Sequence, residues 1–260
     1  MKYELNGLVF FNVVKGSTPP TDEVDCCIYP GQGELKIVTY STDLSVCTIS
    51  EVVCDTQNYK KTDPFLFPVF EFLNRVSSDD IKQVTIEIFT LYITVTIHQN
   101  DYSITFKKQT TNEQLPKIFT YIPISPPTEF CTRIKKDILL KILSGCDQED
   151  ILDFTQTSIN IVNPYSWDTI KYKSNTLSVP PSTPTSFIQK NIINYMKYLC
   201  SNNAKMWLQG NNTPIIIKSM SDDVESTLYI SPYVYTRENM DTDEIVDSVL
   251  SDIVNDISEN

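Results

Sequence analysis

Residues 128–143 read TEFCTRIKKDILLKIL. Thr128 and Glu129 follow Pro126-Pro127 as start signals, and Phe130, Ile134, Ile138 and Ile142 recur every fourth residue, so the spacing predicts a helix over 128–143 with one apolar face. Arg133, Lys135, Lys136 and Lys141 lie on its flanks and back against the two acids Glu129 and Asp137, a local reversal of sign in a chain of net charge −12. In isolation such a stretch reads as a solvated helix face. Its surroundings give it more weight.

Upstream, residues 108–127 (KQTTNEQLPKIFTYIPISPP) carry four prolines and no sustained period, which predicts an extended connector. Before it, Val84, Ile86 and Ile88, then Leu91, Ile93, Val95 and Ile97, alternate with polar residues, and the phase change between 88 and 91 demands a turn or bulge. Tyr102 to Lys107 returns after a turn at Gln99-Asn100-Asp101. Residues 63–76 look helical, the ordered part running from Val69 to Val76 because Pro64 and Pro68 interrupt the start. The first sixty residues read as short strands and turns, with Glu4 to Val14 the first of them and any opening helix short or broken by Pro19-Pro20.

Downstream of 143 the same order returns: short strands at 158–162 and 169–173, a Ser/Pro/Thr break at 178–186, a helix near 188–200, and strands at 205–209, 214–219 and 226–230. The expected architecture is α+β, in two similar units at 1–107 and 128–235 joined by the connector, with an acidic tail at 236–260. In that tail Ile245, Val246, Val249, Leu250, Ile253, Val254 and Ile257 form a heptad-like stripe on what reads as an acidic helix, a pattern that wants a partner surface.

The 260 residues, 41 % apolar, suffice for a substantial core. No apolar run reaches the roughly 18 residues of a membrane span, and the N-terminus lacks the pattern of a signal peptide, so an intracellular protein is expected. Seven cysteines, odd in number and irregularly spaced, read as reduced and mostly buried. Enzymatic readings lack material. His98 is the single histidine, the six glycines form no phosphate loop, and Cys26-Cys27 lacks metal-site spacing, so neither cofactor nor metal is expected. Carboxylate-only or cysteine chemistry stays open, and Trp167 and Trp207 read as packed aromatics.

Four segments, taken in order, resemble the PCNA-type DNA sliding clamps. Pro214-Ile-Ile-Ile, Asp223 and Leu228-Tyr229-Ile230-Ser231-Pro232-Tyr233-Val234 are similar to their closing strands; Ile193-Asn194-Tyr195-Met196 looks like part of their last helix; Arg133-Ile134-Lys135-Lys136-Asp137-Ile138 resembles their Arg-Ile-Cys-Arg-Asp-Leu; and Glu113-Gln114-Leu115 falls where they have Glu-Gln-Leu. The resemblance implies helices on one side of a continuous antiparallel sheet and a homotrimeric ring around double-stranded DNA, touched without regard to sequence, as a polymerase processivity factor in DNA replication. Arg133 and Lys136 then take channel-lining positions, with Lys135, Lys141, Lys190, Lys197 and Arg75 as further DNA-binding candidates. A positive inner wall inside a negative exterior permits sliding and suppresses side-on binding.

The family's hydrophobic partner pocket, which takes a polymerase or another replication protein, maps to Leu115, Pro116 and Ile118, to Tyr229, Pro232 and Tyr233, and to Leu44 and Val46. The chain departs from the pattern in its first unit, where Glu71-Phe72-Leu73-Asn74 replaces a Lys-Ile-Leu-Lys. A divergent, viral member acting in the nucleus or at a cytoplasmic viral replication site fits this sparse match. The alternatives are a subunit of a heterotrimeric checkpoint clamp, a viral clamp-like late transcription factor, and a β-rich scaffold that does not touch DNA.

Overall fold

The structure, a computed structural model, describes residues 1–17, 25–41, 46–78, 81–109, 131–147, 150–155, 158–163, 169–173, 185–188, 192–197, 199–208 and 214–231. The first unit opens with β1 (Lys2–Asn6) and α1 (Gly7–Ser17), continues through β2 (Cys26–Pro30), β3 (Glu34–Tyr40), β4 (Val46–Val53), β5 (Asp55–Gln57), β6 (Phe65–Phe67) and α2 (Val69–Arg75), and closes with β7 (Gln83–Ile88), β8 (Tyr92–His98) and β9 (Ser103–Gln109). The second runs β10 (Cys131–Lys135), α3 (Lys136–Leu143), β11 (Ile151–Phe154), β12 (Ser158–Val162), β13 (Thr169–Lys173), β14 (Thr185–Ile188), α4 (Ile193–Lys197), β15 (Asn203–Trp207), β16 (Ile215–Met220) and β17 (Val224–Ile230).

The pairing repeats with the order. Neighbours run β1-β7-β8-β9 in the first unit and β10-β15-β16-β17 in the second; likewise β6-β2-β3-β4 and β14-β11-β12-β13. The units join where β17 pairs antiparallel with β4, from Val224↔Val52 to Ile230↔Val46, making one eight-stranded sheet, β10-β15-β16-β17-β4-β3-β2-β6. The repeat counterparts of β17 and β4 are β9 and β13, and among the described residues each of these is an edge of its own sheet.

Local chemistry explains the elements. Strict alternation makes β8 a strand whose Ile93, Val95 and Ile97 are buried, and the turn demanded after Ile88 is closed by the Phe89 amide donating to the Tyr92 carbonyl at 2.9 Å. α1 corrects the expectation of a strand over Glu4 to Val14. Its N-terminus is capped by Asn6 Oδ1, which accepts from the Leu8 and Val9 amides at 3.0 and 3.2 Å, and it buries Phe10, Phe11, Val13 and Val14. Phe10, Phe67 and Phe72 then meet edge to face with centroids 5.4 to 5.7 Å apart, with Phe106 at 6.0 Å from Phe67.

The predicted helix over 128–143 is corrected as well. Residues 131–135 form β10, pairing with β15 from Cys131↔Trp207 to Lys135↔Asn203, and among the described residues of that stretch the helix is Lys136–Leu143; 128–130 lie outside the described residues. The buried residues of that helix are Leu139, Ile142 and Leu143, while Ile138 stands 54 % exposed, so the four-residue spacing did not trace the core face. Asn202 holds the helix start, its carbonyl accepting from the Lys136 amide at 2.8 Å and its Oδ1 from the Asp137 amide at 3.0 Å. Two further boundaries move. Residues 185–188, split between the expected break and the following helix, are β14, paired with β11, and the described helix there is Ile193–Lys197.

Candidate nucleic-acid interface and partner surface

Side chains alternate across a strand, so register and packing assign each residue of the eight-stranded sheet to a face. On one face lie the helices. Core residues Val46 and Leu228, with Ala204, Met206, Ile215 and Ile217, pack with Leu139, Ile142 and Leu143 of α3 and Tyr195 and Met196 of α4. At the seam a small cleft is lined by Val13 and Gly16 of α1, Tyr195 of α4, and Thr48, Ser50, Ser226 and Leu228 of the two joined strands. Ser50 and Ser226 are directly opposite, with their hydroxyls 2.9 Å apart.

The four described helices carry the cations Lys15, Arg75, Lys136, Lys141 and Lys197 against the carboxylates Glu71 and Asp137. They are therefore net positive within a chain of net charge −12. Arg75, Lys141 and Lys197 are exposed. Lys136 is partly committed to structure, because its Nζ donates to the Leu199 carbonyl at 2.9 Å and ties the start of α3 to the segment after α4. Lys15, which the sequence reading passed over with the rest of α1, lies over the Phe11 ring at 5.5 Å from its centroid. Arg75 also borders a cleft of about 290 Å³ with Glu71, Phe65, Phe67, Phe106, Lys107 and Lys108. Lys190 lies outside the described residues.

Arg133 and Lys135 require a correction. Ile134, between them, packs toward the helices, and Arg133 is directly opposite Lys205, whose neighbours Ala204 and Met206 also face the helices. Arg133 and Lys135 therefore project from the opposite face of the sheet. The error came from the assumed helix, on whose flanks and back Arg133, Lys135 and Lys136 would lie; a strand sends successive residues alternately to two sides of the sheet.

That opposite face carries an apolar row running straight across the strands. Tyr40 pairs with Cys47, Cys47 with Tyr229, Tyr229 with Ile216, and Ile216 with Trp207. All five are under 9 % exposed and share a cluster with Cys27, Val38 and Ile49. Of the expected pocket, Tyr229 lies in this row. Val46 does not: it is 1 % exposed on the helix side, and its neighbour Cys47 takes the place at the outer face. Leu44, Leu115, Pro116, Ile118, Pro232 and Tyr233 lie outside the described residues. Trp207, Ile216 and Cys47 were missed, though the alternation of 214–219 and 205–209 already placed Ile216 and Trp207 on one side of their strands.

His98 is structural in position, its Nε2 3.1 Å from Thr85 Oγ1 and its Nδ1 3.1 Å from Ser103 Oγ, bridging three neighbouring strands. Among the described residues no group of three or more His, Cys, Asp or Glu could hold a metal ion, and no described helix is long and apolar enough to cross a membrane.

Two repeated units, a sheet continuous across their seam and helices gathered on one of its faces match a solved structure. Proliferating cellular nuclear antigen from Entamoeba histolytica superposes with a TM-score of 0.64 at 11 % identity, over 90 % of this chain and 98 % of that one. The fold is a PCNA-type clamp. No protein-family model matches the sequence, and no curated protein does either. The PCNA-type architecture is thus carried by patterning and topology with little residue identity left in common.

Proposed function

We propose that this chain is a DNA sliding clamp, a non-enzymatic processivity factor that closes into a homotrimeric ring around duplex DNA and tethers a polymerase or another replication protein. The observation that carries the reading is the pair of free edges. Inside the chain β17 joins β4, and the outer edges of the repeat counterparts β9 and β13 have no partner among the described residues, so β9 of one copy and β13 of the next can form the same junction. Their core-facing side chains suit it. Ile170 is 53 % exposed beside Tyr172, which packs on the core, and Ile104 and Phe106 are partly buried on the other edge. Within such a ring the net-positive helices would meet the phosphates, with Lys141 and Lys197 as principal contacts and Arg75, Lys15 and Lys136 in support. By resemblance it acts at a nuclear or viral replication site.

The test is mass in solution by light scattering. A self-closing clamp gives about 90 kDa, three times the 29.7 kDa chain, and Ile170→Glu on the edge strand reduces it to monomer. A wild-type monomer moves the reading to a heteromeric checkpoint-type subunit or a viral clamp-like transcription factor. A second reading, a scaffold that leaves DNA alone, is favoured by Leu8, Phe70 and Ile138, large apolar side chains that are 48 %, 48 % and 54 % exposed on α1, α2 and α3.

A further inference from the structure

We propose that the acidic C-terminal segment 236–260 docks on its own subunit, across the basic strip that borders the apolar row on the outer face of the eight-stranded sheet. This inference goes beyond the clamp reading and stands without it. Arg133, Lys205 and Lys218 form a single cross-strand row, Arg133 opposite Lys205 and Lys205 opposite Lys218. Like charges directly opposed on one face repel. Lys218 is neutralised by Glu225, but Arg133, Lys205 and the adjoining Lys135 are exposed and form no ion pair with a described residue. In a chain of net charge −12 such a concentration of cations with no described carboxylate partner is a local demand for carboxylates.

The tail meets that demand in charge and in reach. It holds Glu238, Asp241, Asp243, Glu244, Asp247, Asp252, Asp256 and Glu259 against Arg237 alone. Two residues along the same strands runs the apolar row, where Cys131, Trp207, Ile216 and Tyr229 follow one another; Trp207, Ile216 and Tyr229 are already under 9 % exposed, so the surface open to the tail is the basic strip with the exposed Cys131 at its border. Every member of that cluster belongs to the sheet itself, and no described helix contributes to it. The chain leaves β17 at Ser231, next to Tyr229 and three strands from β10, a separation of about 14 Å at ~4.8 Å per strand. Nine residues, the length of 232–240, span up to ~30 Å when extended, and a helix of seventeen residues, the length of 241–257, would measure ~26 Å, so the segment is long enough to reach the strip. Tethering supplies an effective concentration of about 1 mM, which makes even a site of ~100 μM affinity mostly occupied. A partner peptide of acidic and aliphatic character must then displace the tail.

Cys131 reports on occupancy, since it is exposed at the end of the apolar row, opposite Trp207. Its alkylation rate, followed by peptide mass spectrometry, is compared between the full chain and a chain ending at Val234. Docking predicts that truncation speeds Cys131 labelling about tenfold, that a synthetic 236–260 peptide slows it again, and that Arg133→Glu with Lys205→Glu in the full chain raises it as truncation does. Cys146 and Cys200 label at unchanged rates in each variant if the fold is intact, which separates undocking from unfolding. Equal Cys131 rates in full and truncated chains overturn the proposal, and so does a peptide that protects the charge-reversed chain equally well. Protection that fades on dilution places the tail on a second copy and overturns docking on its own subunit.

Discussion

Glu51 of β4 stands directly opposite Glu225 of β17 at the seam between the two units. Two carboxylates in that relation repel, and each is held by a lysine of its own unit: Lys36 is 2.7 Å from Glu51, and Lys218 pairs with Glu225. The seam therefore depends on cations that never cross it. Lys218→Ala should cost about 0.2–1 kcal/mol, the range for surface ion pairs, and chemical denaturation measures it. Adding Glu225→Gln should restore most of the loss by removing the repulsion, whereas a simple packing defect at Lys218 would persist in the double variant.

Phe72 is fully buried, with Phe10, Phe67 and Phe106 around it. Phe72→Ala leaves a cavity between α1, α2 and the two sheets, and a loss of about 3–5 kcal/mol in unfolding free energy is expected. Phe70→Ala, on the same helix but 48 % exposed, should change stability by less than about 0.5 kcal/mol. Similar losses at both positions would mean that α2 packs differently.

Gly7 opens α1 where the chain passes under the start of β7. A Cβ there would collide with the Ile81 side chain and come within 2.9 Å of the Gln83 amide nitrogen, which is backbone and cannot swing aside. Gly7→Ala should destabilise by about 1–3 kcal/mol as β1 and β7 move apart. Combining it with Ile81→Ala should not recover the loss fully, because the backbone clash remains; thermal melts of the three variants decide this.

Burial pushes the thiols of Cys27 and Cys54 up to about 11, and those of Cys47 and Cys146 to about 12, with Asp150 and Asp147 adding to the effect at Cys146. Because each folded value lies above the ordinary thiol value of 9.0, the unfolded chain gives up these protons first, so the associated stability is present below pH ~9 and lost as pH rises toward 11–12. The melting temperature should fall steadily above pH 9. Cys47→Ala should flatten that slope, and an unchanged slope would assign alkaline loss to other groups.

The two faces of the sheet make opposite predictions for DNA. Lys141→Ala with Lys197→Ala, on the helix face, should weaken DNA retention and reduce the slope of log affinity against log salt by about 0.9 for each phosphate no longer neutralised. Arg133→Ala with Lys135→Ala, on the outer face, should leave both unchanged. A weakening confined to the outer-face pair would reverse the orientation of the proposed ring.

Legibility in the sequence followed the physics of each segment. β8 was readable because one face is buried and the other is not, so burial wrote a period of two into the residues. α1 was not: GLVFFNVVKGS begins with glycine, contains three valines and has no acid in its first turn, and it is helical because Asn6 caps it and Phe10, Phe11, Val13 and Val14 find a core. Over 131–135 a coincidental four-residue apolar spacing outweighed a five-residue strand too short to show its own period. That one misreading moved Arg133 and Lys135 to the wrong side of the sheet. The clamp-like repeat itself was visible, because the order of helices and strands survives when individual boundaries shift by several residues.

If the proposed junction forms, the β17–β4 seam makes each chain a two-ended monomer in the sense of polymer chemistry, with edge β9 of one copy joined to edge β13 of the next. Junctions between unlike ends propagate, and whether they yield a closed ring or an endless filament is decided by the angle at which the hydrogen-bonded seam within each chain sets its two ends. A copy blocked at Ile170 but intact at β9 would then act as a chain stopper, and a small fraction of it would suffice to poison closure of every ring it entered.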